Sequence, residues 1–261
     1  MTFARVLSTE FLKLRRSKVT WGSLAGLSMG PLAIALFMWI VREPGRAAQL
    51  GLLGTKADLS GITATWPSFL SMLTIIVGVG GLLLLAFIVA YVFGREYAEG
   101  TAKNMLALPI GREWFVVAKL VVAAVWWLVL VVAVLVEALV IGSALGLPGF
   151  SAGLVVSAVG NALLAAGIAY LLVPVVAWIT ILGRGYMPPL AFAIATLALG
   201  DVFTHTGWAP WFPYSIIPLL IGMVGKPVVA LPVGSLVVLA LTFAAGVTAS
   251  VLQVRHADNT Q

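Results

Sequence analysis

An all-α integral membrane protein with six transmembrane helices is the fold class the sequence predicts, and three observations predict it. Hydrophobic residues make up 62% of the chain against 9% charged, with a mean hydropathy of +1.12, far outside the range of soluble domains. Six apolar runs have the length needed to cross a bilayer, about 20 residues each. The Lys and Arg residues fall mostly on one side of those runs. Their 261 residues leave almost no room for an extramembrane domain, so the whole chain reads as a single transmembrane domain.

The elements follow in chain order. Residues 1–18 carry Phe3, Val6, Leu7, Phe11 and Leu14 at the spacing of one helix face, with Arg5, Lys13 and Arg16 elsewhere, the pattern of an amphipathic helix lying in the membrane surface. Glu10 projects on the apolar side. Two readings stay open for it: a pair with Lys13 three residues on, or contact with a cation of a partner or of the 94–119 segment. The apolar run after this basic segment is too long for a signal-peptide core and lacks a small-residue cleavage site, so it reads as an anchor.

The spans are predicted at 19–41, 69–93, 115–145, 154–182, 187–202 and 232–254. The third and fourth are long enough to tilt or project. The fifth is short and begins with Pro188-Pro189. Six spans put both termini on one side. That side holds 11 of the 15 Lys and Arg residues, and the positive-inside rule makes it cytoplasmic, which corresponds to a multi-pass protein of the cell's inner membrane. The outer segment 203–231 is aromatic and proline-rich, and suits an aromatic interfacial belt or short re-entrant helices better than a free loop.

The main polar interruption is "FGREYAEGTAKNMLALPIGREWFVVAKL", residues 93–120, with seven charged side chains. Gly94 and Gly100 loosen the backbone after the second span, and Glu99 and Lys103 are spaced for an i,i+4 pair. Pro109 stops the helix, Gly111 turns the chain, and Arg112 and Trp114 anchor the next span. One short amphipathic cytoplasmic helix within 94–113 results, either a docking element for a soluble partner or a solvated loop.

With "STEFLKLRRSKVTW" before it, this run resembles the permease subunits of ATP-binding-cassette exporters of the second permease type, in particular those similar to bacitracin-export permeases. The family pattern is an acidic residue, Gly-Thr, a basic residue, Pro and Arg between spans two and three. Here it falls on Glu96 or Glu99, Gly100, Thr101, Lys103, Pro109 and Arg112. The family's Glu before a Lys-Leu-Arg-Arg-Ser run maps onto Glu10, Lys13, Arg15 and Arg16. The resemblance implies a subunit that dimerises, as a homodimer or with a related permease, and rests on two ATPase subunits. The 94–113 segment would be the coupling helix. ATP and Mg would sit on the partner chains, with no cofactor on this one. No G-x-x-x-x-G-K-[ST] loop occurs in the chain, in keeping with ATP handled elsewhere.

Other residues bear on rival functions. Glu137 reads as the only ionisable residue well inside a span, where a charge costs roughly 3 kcal/mol. It is a candidate for the translocation path, or else is protonated or bonded to a neighbour such as Ser143. A self-sufficient ion-coupled secondary transporter using Glu137 is the alternative function, but it would favour inverted repeats and paired intramembrane carboxylates. Catalysis is disfavoured: with no cysteine in the chain, and no His in the spans, a nucleophile with its base is missing. His205 and His256 fall on opposite sides of the membrane, so no metal site is predicted. Gly22, Gly26 and Gly30 form a small-residue ridge that serves packing within one subunit or a homodimer seam, and Gly142 and Gly146 repeat the spacing. The basic inner surface is explained by topology and anionic lipid without nucleic acid. An amphiphilic substrate, such as an antimicrobial peptide, a hydrophobic drug or a lipid-linked compound, is as far as bulk polarity and resemblance reach.

Overall fold

The computed structural model describes residues 2–52, 62–101, 111–223 and 231–256. These residues form helices α1 (Phe3–Arg15), α2 (Lys18–Arg42), α3 (Pro44–Gln49), α4 (Trp66–Ile75), α5 (Gly81–Ala98), α6 (Glu113–Ala144), α7 (Ala152–Gly183), α8 (Met187–Thr204), α9 (Ile216–Ile221) and α10 (Val233–His256). No strand occurs among the described residues. Six helical stretches are long and apolar enough to cross a membrane, and each matches a predicted span. The short fifth keeps Pro188-Pro189 in its first turn, where a missing N–H costs nothing.

The second span is continuous from Trp66 to Ala98, with one π-helical turn at Ile76–Gly80 joining α4 to α5. It ends five residues beyond its predicted limit. Gly94 does not loosen it: a Cβ there would lie 3.0 Å from the Tyr186 ring, so its use is close packing inside the helix. The helix stops at Gly100, whose φ of +68° is left-handed and suits glycine. The amides of Thr101 and Gly100 reach back to the carbonyls of Glu96 and Tyr97 at 2.8 and 3.2 Å, the two bonds of a Schellman cap.

α7 sits at the centre, packed against α5, α10 and α8. Its face of Ala162, Ala165, Ala166 and Ala169 is buried and lets neighbouring backbones approach. α10 comes closest at Gly246, where a Cβ would lie 2.6 Å from the Val175 amide nitrogen. Beside it the Ser250 hydroxyl donates to the carbonyls of Gly246 and Pro174 at 2.8 and 3.3 Å. Polar tips find carbonyls across helices: Trp127 Nε1–H donates to Ala166 and the Tyr170 hydroxyl to Leu120, both at 3.0 Å. In hydrocarbon no water is present to take these bonds instead.

Between the fifth and sixth spans lie two 3-10 turns and α9, with Tyr214, Ser215, Ile216 and Ile217 buried in the bundle. Outward, α2, α6 and α10 present Trp21, Met29, Leu128, Val136 and Leu241. Large apolar side chains this exposed suit contact with lipid and not water.

Candidate functional site

The largest concentration of buried charge lies where α1, the end of α5 and the start of α6 meet. α1 applies Val6, Glu10 and Leu14 to the bundle, each four residues on from the last. Val6 packs with Phe115 and Ala118 of α6, and the Phe3 ring lies 4.9 Å from the Trp114 ring. The amphipathic face predicted for residues 3–14 is therefore present, but protein covers it. The chain breaks after Arg15, and Ser17 caps α2 by accepting from the Val19 amide at 2.9 Å.

Glu10 enters the bundle on this face and is 4% exposed. Lys13 Nζ lies 2.5 Å from its Oε1 and Lys119 Nζ 3.1 Å from its Oε2. Glu96, in the last turn of α5, is 3% exposed and takes Lys119 at 2.7 and 2.8 Å and Lys13 at 3.1 Å. Lys119 also donates to the Val92 carbonyl at 2.6 Å, and the Phe93 ring faces it at 5.7 Å. Two carboxylates and two ammonium groups thus form a neutral net holding three helices. Burial acts to raise the Glu10 carboxyl, but the Lys119 charge and the Lys13 contacts outweigh it and hold the group below its ordinary 4.5. Burial likewise acts to lower Lys13, and Glu10 followed by Glu96 reverses the sign, leaving it above 10.5.

Both readings of Glu10 are realised together, since it meets Lys13 and a cation of the 94–119 segment. Lys119 is the member that sequence reasoning missed. In the sequence it belongs to the polar interruption at 93–120, yet it stands in the second turn of α6, inside the third span, and is 3% exposed. Glu137 is therefore not the only ionisable group within a span, and among the described residues the best-buried acids are Glu10 and Glu96. The available signal was an isolated lysine in an apolar run, with a glutamate on the apolar face of the preceding amphipathic helix.

The remaining predicted residues divide. Glu99 is exposed and lies 3.4 Å from Arg95; Lys103 and Pro109 lie outside the described residues, as does the short helix expected there. Gly100 and Thr101 build the cap of α5. Arg112 donates to the carbonyls of Val254 and Arg255 at 3.4 and 3.3 Å, and Arg255 lies 3.4 Å from Glu113, so the start of α6 is tied to the end of α10. Arg15 and Arg16 are exposed on α1 and just after it.

Glu137 is half-buried, and the Ser143 hydroxyl donates to the Leu139 carbonyl at 2.8 Å instead of to Glu137. The glycine ridge is split. A Cβ on Gly30 would meet Ile76 at 2.7 Å, whereas one on Gly22 would meet nothing within 4 Å and one on Gly26 only Leu84 at 4.0 Å. Packing within the subunit therefore accounts for Gly30 alone, because α2 turns Ser23, Leu27 and Ile34 inward instead. Gly142 accepts the Trp66 ring, while Gly146 is a left-handed turn after α6 with φ +58°. His205 follows α8 and His256 ends α10, both exposed.

Comparison with known proteins adds three findings. The model of a family described as ABC-2 family transporter protein matches residues 6–200. A bacitracin transport permease protein of Bacillus licheniformis is 28% identical over 137 residues, which is 52% of this chain and 66% of that relative's length. No solved structure matches the chain.

Proposed function

The chain belongs to the ABC-2 family of transporter proteins, and from that premise we propose that it is the membrane-spanning permease subunit of an ATP-driven exporter. The similarity to a bacitracin transport permease supports an amphiphilic cargo, of the class of antimicrobial peptides, hydrophobic drugs or lipid-linked compounds. Two copies, or this chain and a related permease, sit in the inner membrane with their termini in the cytoplasm and rest on two ATPase subunits. ATP is bound with Mg and hydrolysed there, and this chain performs no hydrolysis.

The buried four-charge net is the observation that carries the mechanism. The segment 94–113 joins the end of α5, which carries Glu96, to the start of α6, which carries Lys119, so each helix flanking it contributes a member of the net. Displacement of that segment by an ATPase moves α5 and α6 together, and Glu10 and Lys13 carry α1 with them. Arg112 passes the same displacement to the end of α10. A charge net suits this work because its bonds are directional and costly to leave half-made in a low-dielectric interior. Glu99 is exposed and, among the described residues, pairs only with Arg95 one turn back, which leaves it as an acid for the ATPase to meet.

Copurification tests the proposal. The tagged chain, extracted from its own membrane in mild detergent, is expected to bring a cassette-type ATPase in stoichiometric amount. Glu99→Lys combined with Lys103→Glu is expected to release that ATPase without loss of membrane insertion. A chain that emerges alone, yet drives ion-coupled transport in vesicles, would overturn the reading and make Glu137 the residue of interest.

A further inference from the structure

A cleft of about 570 Å³ opens where α1 ends, α2 begins and α5 passes alongside. Four cations line it, Lys13, Arg16, Lys18 and Arg95, together with the hydroxyl-bearing Thr9, Ser17 and Tyr91, and among the described residues no carboxylate does. Two of these cations are already neutralised, Lys13 by Glu10 and Glu96 and Arg95 by Glu99. Arg16 and Lys18 have no carboxylate within ion-pair distance among the described residues. The Arg95 guanidinium is held over the Tyr91 ring, 5.6 Å from its centroid, and so is kept at the wall of the cleft. The cleft therefore carries two uncompensated positive charges on converging elements, and its size is that of a small-molecule site.

The surroundings select the class of ligand. Leu12 in the lining is 47% exposed, and Trp21, outside the lining but one turn along α2 from Lys18, is 71% exposed. A dissolved anion would leave both against water, whereas a lipid places phosphate among the cations and acyl chain over the apolar side chains. We infer that this cleft is a specific site for the phosphate headgroup of one anionic membrane lipid, made by three helical elements and distinct from general attraction to a charged surface. The site goes beyond the permease reading and does not depend on it.

Native mass spectrometry of the full chain, with any ATPase that accompanies it, tests the site. The probes are phosphatidylglycerol and phosphatidylcholine of identical acyl chains. One phosphatidylglycerol per chain is expected to survive detergent removal in preference to phosphatidylcholine. With Arg16→Gln and Lys18→Gln together its retention is expected to fall roughly tenfold or more. Both positions are exposed, so the variant tests binding and not folding. Arg5→Gln, which removes an exposed α1 cation outside the cleft, is expected to leave retention unchanged. Equal retention of the two lipids, or an equal loss in Arg5→Gln, would overturn the site in favour of general surface attraction. Displacement of the lipid by millimolar inorganic phosphate would overturn the lipid as its occupant.

Discussion

At the scale of single residues, the net of Glu10, Lys13, Glu96 and Lys119 makes strong demands because its charges are buried. Lys119→Met is expected to cost about 3–5 kcal/mol, since it leaves two carboxylates facing one lysine. Adding Glu96→Gln to that variant should recover much of the loss by removing the stranded charge. A double-mutant cycle of detergent melting curves measures the coupling, and additive effects would show that the net is not a unit. The pH dependence follows from the two shifted groups. Glu10 is held below 4.5, so its contribution is present above that value and is lost as the pH falls through the lower folded value. Lys13 is held above 10.5, so its contribution is present below that value and is lost as the pH rises through the higher folded one. Melting temperature is therefore expected to be flat from about pH 5 to pH 10 as far as these groups are concerned. In Glu10→Gln the acid limb should become shallower, and an acid limb identical to the wild type would count against the assignment.

Among the elements, the contacts between helices separate glycines that sequence spacing treats alike. Gly246→Leu would drive a side chain into the backbone of Pro174 and Val175, and should destabilise α10 against α7 by about 1–3 kcal/mol. A Cβ at Gly22 would meet nothing within 4 Å among the described residues, so Gly22→Leu should leave melting nearly unchanged. If it alters instead the mass of the detergent-solubilised particle, the exposed part of the ridge is a seam between copies. The same scale shows how much was legible in advance. Each of the six long apolar helices overlaps one predicted span, because a long uninterrupted apolar run is itself the signal of such a helix. α5 runs past the predicted limit at 93 because Gly94, which locally resembles a break, lies inside the helix. Its lack of a side chain serves the Tyr186 ring, a contact across 92 residues that no local pattern contains. The terminating Gly100-Thr101 was visible as a motif, but its service as a helix stop required the backbone angles.

Over the whole molecule, sidedness is the expectation with the widest reach, and the absence of cysteine from the chain makes it directly measurable. Ser8 on α1 and Thr206 beyond α8 are both exposed. Single variants Ser8→Cys and Thr206→Cys should react with an impermeant thiol reagent from the cytoplasmic and outer faces respectively. Labelling of both from one face would refute the topology. The class of protein, the number of spans and the rough place of every polar interruption were determined by the sequence alone, because burial in hydrocarbon forbids long polar stretches and unpaired backbone. The candidate family was also legible, from short motifs in the right topological order. The tertiary structure decided which charges meet. Glu10 and Lys119 stand 109 residues apart and Glu96 and Lys119 stand 23 apart, and their contact is set by how α1, α5 and α6 pack, which apolar periodicity leaves open. It also decided that Lys119 is a buried partner and not a loop cation, since a lysine one turn inside a span is tolerated only where carboxylates are brought to it.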